Sequence, residues 1–236
     1  MQLKIIAADS RGGADYGWLK TFYTYSFANY YDPQRMGFGK LRVLNDDTIA
    51  PGKGFGHHSH DNMEIITIPL AGTLAHEDSI GNRATISAGE VQVMSAGTGI
   101  VHAEMNPSNT EAVQLFQIWL ETRDWNILPE YSQKRFEITK NQLQLLVAPN
   151  QTKADVVKIH QDAWLHRGNL NAGQRVKYNC KDASKNGVFL MVISGSLQIE
   201  NQTLSARDAA EISEAETIDI NVTQDAQLLL IEVPLR

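Results

Sequence analysis

Short β-like runs separated by turn residues set the pattern of this chain. Residues 10–50 read as strands broken by turns, in which Leu41-Arg42-Val43-Leu44 alternates in part and stops at the turn-forming Asn45-Asp46-Asp47. From Pro51 the punctuation becomes regular, with Pro51-Gly52, Ala71-Gly72, Ile80-Gly81-Asn82 and Ala88-Gly89 bracketing one short run after another. Gln114-Leu115-Phe116-Gln117-Ile118-Trp119-Leu120 is a further apolar strand, and Pro129 with Glu130 falls in a linker. Evenly spaced short strands with glycine turns predict an all-β sandwich or barrel, not alternating helices and strands. The aromatic cluster at Trp18, Phe22, Tyr23, Tyr25, Phe27, Tyr30 and Tyr31 reads as core and strand-edge packing.

The second half of the chain repeats the first in several places. Ile49-Ala50-Pro51-Gly52-Lys53 resembles Leu170-Asn171-Ala172-Gly173-Gln174, and Leu70-Ala71-Gly72-Thr73-Leu74 resembles Ile193-Ser194-Gly195-Ser196-Leu197. Thr85-Ile86-Ser87-Ala88-Gly89-Glu90 resembles Thr203-Leu204-Ser205-Ala206-Arg207-Asp208. Two similar β-domains follow, split near residues 125–145 and drawn here as 1–130 and 131–236.

The candidate chemistry is concentrated in Gly52–Asn106, which holds five of the seven histidines. His58-Ser59-His60 and His102-Ala103-Glu104 each place two metal-capable side chains at i and i+2, so in a strand both point to one face. Strands facing each other across a barrel would bring the four together. His57 takes the opposite parity and reads as a surface residue. Glu64 lies four after His60, which restores the inward parity; of a ligand, a partner that orients a histidine ligand and a buried salt-bridge member, the second is the expectation. His76 sits among hairpin-turn residues and is expected in solvent. Phe55, Met63, Gln92, Met94, Gln117 and Trp119 flank the motifs as pocket candidates. In the second copy the positions matching His58 and His60 fall on Lys181 and Ala183, or on Asn179 and Lys181, while those matching His102 and Glu104 fall on Ile220 and Val222. One domain with a metal and one without is the expectation, with His160 and His166 in surface or packing roles.

Three imidazoles and a carboxylate suit one divalent ion such as iron(II), manganese, nickel, copper or zinc. Structural zinc favours thiolates, and the chain has only Cys180. A single cysteine also excludes an internal disulfide and fits a reducing, cytoplasmic setting. The apolar start, Met1 to Ala8, is too short for a signal peptide, and no long apolar run can span a bilayer. At 236 residues and 42% apolar content the chain can build substantial cores, and a net charge of −6 argues against nucleic acid or a membrane as partner.

The run from Gly52 through His58-Ser59-His60 and Glu64 to Gly72 is similar to the first motif of the cupin superfamily, and Gly89 with Gly99-Ile100-Val101-His102-Ala103-Glu104-Met105-Asn106 resembles its second. Ser26-Phe27-Ala28-Asn29-Tyr30-Tyr31-Asp32-Pro33, Gly54-Phe55-Gly56, His76-Glu77-Asp78-Ser79 and Met94-Ser95-Ala96-Gly97-Thr98-Gly99 resemble the pirin family over essentially the whole chain. Ser59 stands where pirins usually carry proline. The resemblance implies a bicupin, two tandem jelly-roll barrels, with one ion, iron(II) first, held in the N-terminal barrel by His58, His60, His102 and Glu104. It also implies 2,3-dioxygenation of a flavonol such as quercetin, with a small aromatic substrate and O2 as partners. In that reaction Glu104 is the candidate proton acceptor, once partly released from the ion. The alternative is a metal- or redox-responsive binding protein that acts on a transcription factor or a metabolic enzyme.

Overall fold

The computed structural model describes all 236 residues. Apart from one 3-10 turn, Ala8–Ser10, all regular structure is β-strand, and no helix is long and apolar enough to cross a membrane. The N-terminal half is built from two sheets. One has four strands in the order Gly54–His60, Ile100–Met105, Thr73–Asp78, Arg83–Ser87. The other has seven, ordered Glu130–Arg135, Glu90–Ser95, Met63–Ala71, Val113–Glu121, Leu41–Ile49, Leu19–Tyr23, Gly12–Asp15. The C-terminal half forms a single nine-stranded sheet.

Two strands cross the expected division at residue 130. Gln2–Ile6 pairs with Ala209–Ser213, which places the first strand in the C-terminal sheet, where Ile6 joins the main core. Glu130, expected with Pro129 in a linker, opens the strand Glu130–Arg135, which pairs with Glu90–Ser95. Each exchange covers a sheet edge that would otherwise present unpaired backbone groups.

The repeated motifs fold into the same turns. Gly52 and Gly173 have φ of 65° and 83°, and Gly72 and Gly195 have 75° and 79°. Gly89 and its counterpart Arg207 also share a positive φ, at 92° and 71°. In one copy the Ser87 N–H donates to Glu90 Oε2 at 2.8 Å, and in the other the Ser205 N–H donates to Asp208 Oδ2 at 2.9 Å.

The interiors of the two barrels differ. A cluster of 17 buried apolar residues fills the C-terminal one, and it includes Ile220 and Val222, the counterparts of His102 and Glu104. The largest core, of 23 residues, lies between the halves: Ile66, Val93, Phe116 and Ile118 of the seven-stranded sheet pack with Val147, Leu165, Phe189 and Ile231 of the other domain. Only two small apolar clusters, of 5 and 4 residues, line the N-terminal barrel. What fills the rest of it is polar.

That polar interior explains why the strand expected to stop at Asn45 runs on from Leu41 to Ile49. Asn45 pairs in register with Gln117 and Asp47 with Leu115. Both side chains are buried, whereas Asp46 points the other way and binds Arg11 at 3.4 Å and Arg207 at 3.0 Å. Tertiary partners thus override the turn propensity of the triplet.

Candidate metal centre

Gly54–His60 and Ile100–Met105 are adjacent antiparallel partners in the four-stranded sheet, not strands facing each other across the barrel. His102 pairs directly with His58 and Ile100 with His60. A register shift after His102 sets Glu104 opposite Phe55. The imidazoles therefore cluster through cross-strand pairing, with ring centroids 4.3 Å apart for His58 and His102, 4.8 Å for His58 and His60, and 4.9 Å for His60 and His102. His58 and His60 are half-buried while His102 and Glu104 are buried, so the donors run from the mouth of the barrel inward. His57 projects outward to Glu77, 3.1 Å away.

His58 Nδ1 lies 2.8 Å from the Gly56 carbonyl, which fixes the hydrogen there and leaves Nε2 to face its neighbours. Burial, then the neighbouring histidines, lowers the pKa of His60 to about 4 and of His102 to about 3. Both rings are thus neutral near pH 7, as metal ligation requires. Neither nitrogen of His102 has a hydrogen-bond partner, although the ring is buried. Such an orphaned imidazole beside two others fits a metal ion. Donor atoms of His58, His60 and His102 lie within 4.8 Å of one another, and so do those of His76, His102 and Glu104.

His76 is the main correction to the sequence reading. It lies within the strand Thr73–Asp78, paired with Glu104, and its side chain is fully buried, not solvated in a turn. The turn begins later, where Asp78 accepts from the Ile80 and Asn82 N–H groups. His76 stacks on Tyr131 at 4.8 Å.

Three side chains of the seven-stranded sheet hold Glu104. Gln117 Nε2 donates to Oε2 at 2.8 Å, while Thr67 and Gln92 reach Oε1 at 3.2 and 3.4 Å. Thr67 pairs with both Gln92 and Gln117, so one cross-strand row supplies all three. Burial raises the Glu104 carboxyl to about 7; these hydrogen bonds pull it down and the charge of Asp47 pushes it up. Thr67 lies outside the histidine motifs, though each of the three interrupts an apolar run: Ile66-Thr67-Ile68, Val91-Gln92-Val93 and Phe116-Gln117-Ile118. That interruption was the available signal.

The remaining candidates divide. Trp119 meets the His60 ring edge-on at 4.8 Å, and Phe55 lies 6.5 Å from His58. Met94 packs with Ile65, Ala96 and Ile100, with Met63 against them. Glu64, expected beside a ligand, faces away: it accepts from Ser95 Oγ at 2.6 Å, Thr122 Oγ1 at 3.2 Å and the His160 N–H at 3.0 Å. The turn at Asn62, with φ of 44°, resets the alternation between His60 and Glu64. His160 and His166 lie outside the cluster, His160 bonded to Glu130 at 3.1 Å and His166 buried against Tyr178.

A polar-lined barrel with three imidazoles and a carboxylate running inward from its mouth, joined to a barrel filled with apolar side chains, defines a two-domain cupin with a metal-capable centre. A family model described as Pirin matches residues 6–120, and one described as Quercetinase C-terminal cupin domain matches residues 145–233. The chain is 42% identical to a quercetin 2,3-dioxygenase of Escherichia coli K12, over 96% of each sequence. It is 40% identical to a pirin-like protein of Caulobacter vibrioides, covering 95% of this chain and 96% of that one. The crystal structure of the E. coli bacterial pirin YhhW in complex with nickel(II) superimposes with a TM-score of 0.94 at 40% identity, covering all of both chains. This chain belongs to the pirin family.

Proposed function

We propose that the chain is a metal-dependent dioxygenase that opens a flavonol such as quercetin by 2,3-dioxygenation, with loss of carbon monoxide. The observation that carries this reading is the cluster of His58, His60 and His102 running inward from the mouth of a polar barrel, with the buried carboxylate of Glu104 within 4.8 Å of His102. His58, His60, His102 and Glu104 would hold one divalent ion, iron(II) by resemblance to other pirins. Nickel(II) is the ion in the YhhW complex. When bound, the ion supplies Lewis-acid stabilisation of the flavonol enolate and the redox coupling to oxygen.

The protein's own groups position the reaction. Glu104 would accept the proton of the 3-hydroxyl on partial release from the ion, since a fully metal-bound carboxylate is a weak base. Gln117, Thr67 and Gln92 hold that carboxylate from behind. Trp119 and Phe55, beside His60 and His58, offer apolar edges against which a flat aromatic substrate can rest.

The test is anaerobic loading with iron(II) or nickel(II), elemental analysis, then oxygen uptake with quercetin and with other enols. His58→Ala and His102→Ala are expected to lose both metal and turnover. Turnover that survives in a metal-free variant overturns the mechanism. A fully loaded protein that consumes no oxygen favours the regulatory binding role.

A further inference from the structure

His76 has no place in the ligand set proposed above, yet its side chain is fully buried beside His102 and Glu104, the two deepest donors. One side of its ring is committed: Nε2 lies 3.0 Å from Asp78 Oδ2. Asp78 is itself fixed by the Ile80 N–H, the Asn82 N–H and Asn82 Nδ2. Against the cost of burial, the hydrogen bonds from His76 and Asn82 hold its carboxyl below the usual range. A carboxylate at Nε2 requires a ring hydrogen there, which leaves Nδ1 as the one nitrogen of the ring that can accept. That Nδ1 is buried without a partner.

His102 has the complementary deficit. Neither of its ring nitrogens has a partner, and its ring lies 5.3 Å from that of His76, inclined at 52°. A ligating imidazole turns one nitrogen to the ion and carries hydrogen on the other, which is then held by a carboxylate, a carbonyl or water. No such group pairs with His102. The unfilled acceptor beside it is His76 Nδ1, and the stack of His76 on Tyr131, at 4.8 Å and 29°, holds that ring in its plane.

We propose that His76, backed by Asp78, accepts the ring N–H of His102 and so sets the tautomer and orientation of that ligand. The relay runs from Asp78 through His76 to His102. It makes His76 a positioning residue, not a ligand, and it rests on the reading of His102 as a metal ligand.

The experiment uses the full chain, with nickel(II) affinity measured by chelator competition and copper(II) loading read by electron paramagnetic resonance for directly bonded nitrogens. His76→Phe and Asp78→Asn are each expected to weaken nickel binding about 10- to 100-fold while the nitrogen count stays at the wild-type value. Asp78→Asn changes shape little but presents an amide N–H to Nε2, which moves the ring hydrogen to Nδ1 and removes the acceptor. His76→Gln keeps a carbonyl acceptor and is expected to recover part of the affinity. The two near-isosteric variants keep the test alive if His76→Phe fails to fold. Nickel affinity within twofold of wild type in His76→Phe and Asp78→Asn overturns the inference. Loss of one nitrogen in a His76 variant overturns it too, because His76 would then be a ligand. A wild-type chain that binds no nickel overturns the ligand reading itself, a result distinct from tight binding with unaffected variants.

Discussion

Gln117 donates to Glu104 across the barrel at 2.8 Å, from a strand whose flanking residues Phe116 and Ile118 pack into the core between the domains. One strand thus joins the candidate site to the largest apolar cluster of the protein. Gln117→Leu removes the shortest of the three bonds to a buried carboxylate and is expected to cost about 1–3 kcal/mol. Urea unfolding of the metal-free protein at pH 8, where Glu104 is ionised, measures it. A smaller loss at pH 5, where the carboxyl is protonated and the bond is no longer charge-assisted, is the expected companion.

Asp47 gives a second pH dependence. Burial raises its carboxyl from 3.8 to about 7. Unfolding therefore releases a proton between those pH values, and the contribution of this group to stability falls as pH rises across them. Asp47→Asn should stabilise the protein at pH 8 by up to about 4 kcal/mol. The gain should fade toward pH 4, and thermal melts at the two pH values decide it.

Glu64 bridges the halves, since Ser95 and Thr122 precede the C-terminal sheet and His160 lies within that half. Glu64→Leu leaves three donors at the interface without their acceptor and is expected to destabilise the fold by about 1–3 kcal/mol or more. Nickel stoichiometry of the folded fraction should not change. A lost metal with unchanged stability would falsify this placement and return Glu64 to the ligand shell.

Two glycines of one strand should behave differently. A Cβ on Gly54 would lie 2.2 Å from the Glu104 carbonyl oxygen and 2.6 Å from Met105 Cα, whereas one on Gly56 meets nothing within 4 Å. Gly54→Ala must separate the two strands that carry the donors, and about tenfold weaker nickel binding is expected. Gly56→Ala should bind as wild type does. Parallel titrations of the two variants check the contrast.

Much of this protein was legible in its sequence. Turn chemistry is local, so the glycine punctuation announced short strands, and the paired motifs around Ser87–Glu90 and Ser205–Asp208 announced a repeat whose copies share the same bond from a serine N–H to a carboxylate three residues on. Strand alternation separated His58 and His60 from His57, and the repeat showed Ile220 and Val222 where His102 and Glu104 stand in the first copy.

Other features were set by long-range contacts that no local pattern encodes. Asn45 and Asp47 continue a strand because a polar barrel interior receives them, and Glu64 turns from the cluster because one residue at positive φ resets the alternation. The first strand crosses to the other domain because an open sheet edge there needs pairing. His76 sits among turn-forming neighbours in sequence, but cross-strand pairing with Glu104 carries it into the barrel. The sequence by itself determined which residue types can hold a metal and on which strands they lie. Only the tertiary structure decided which of them meet, because register and burial are settled between strands far apart in the chain.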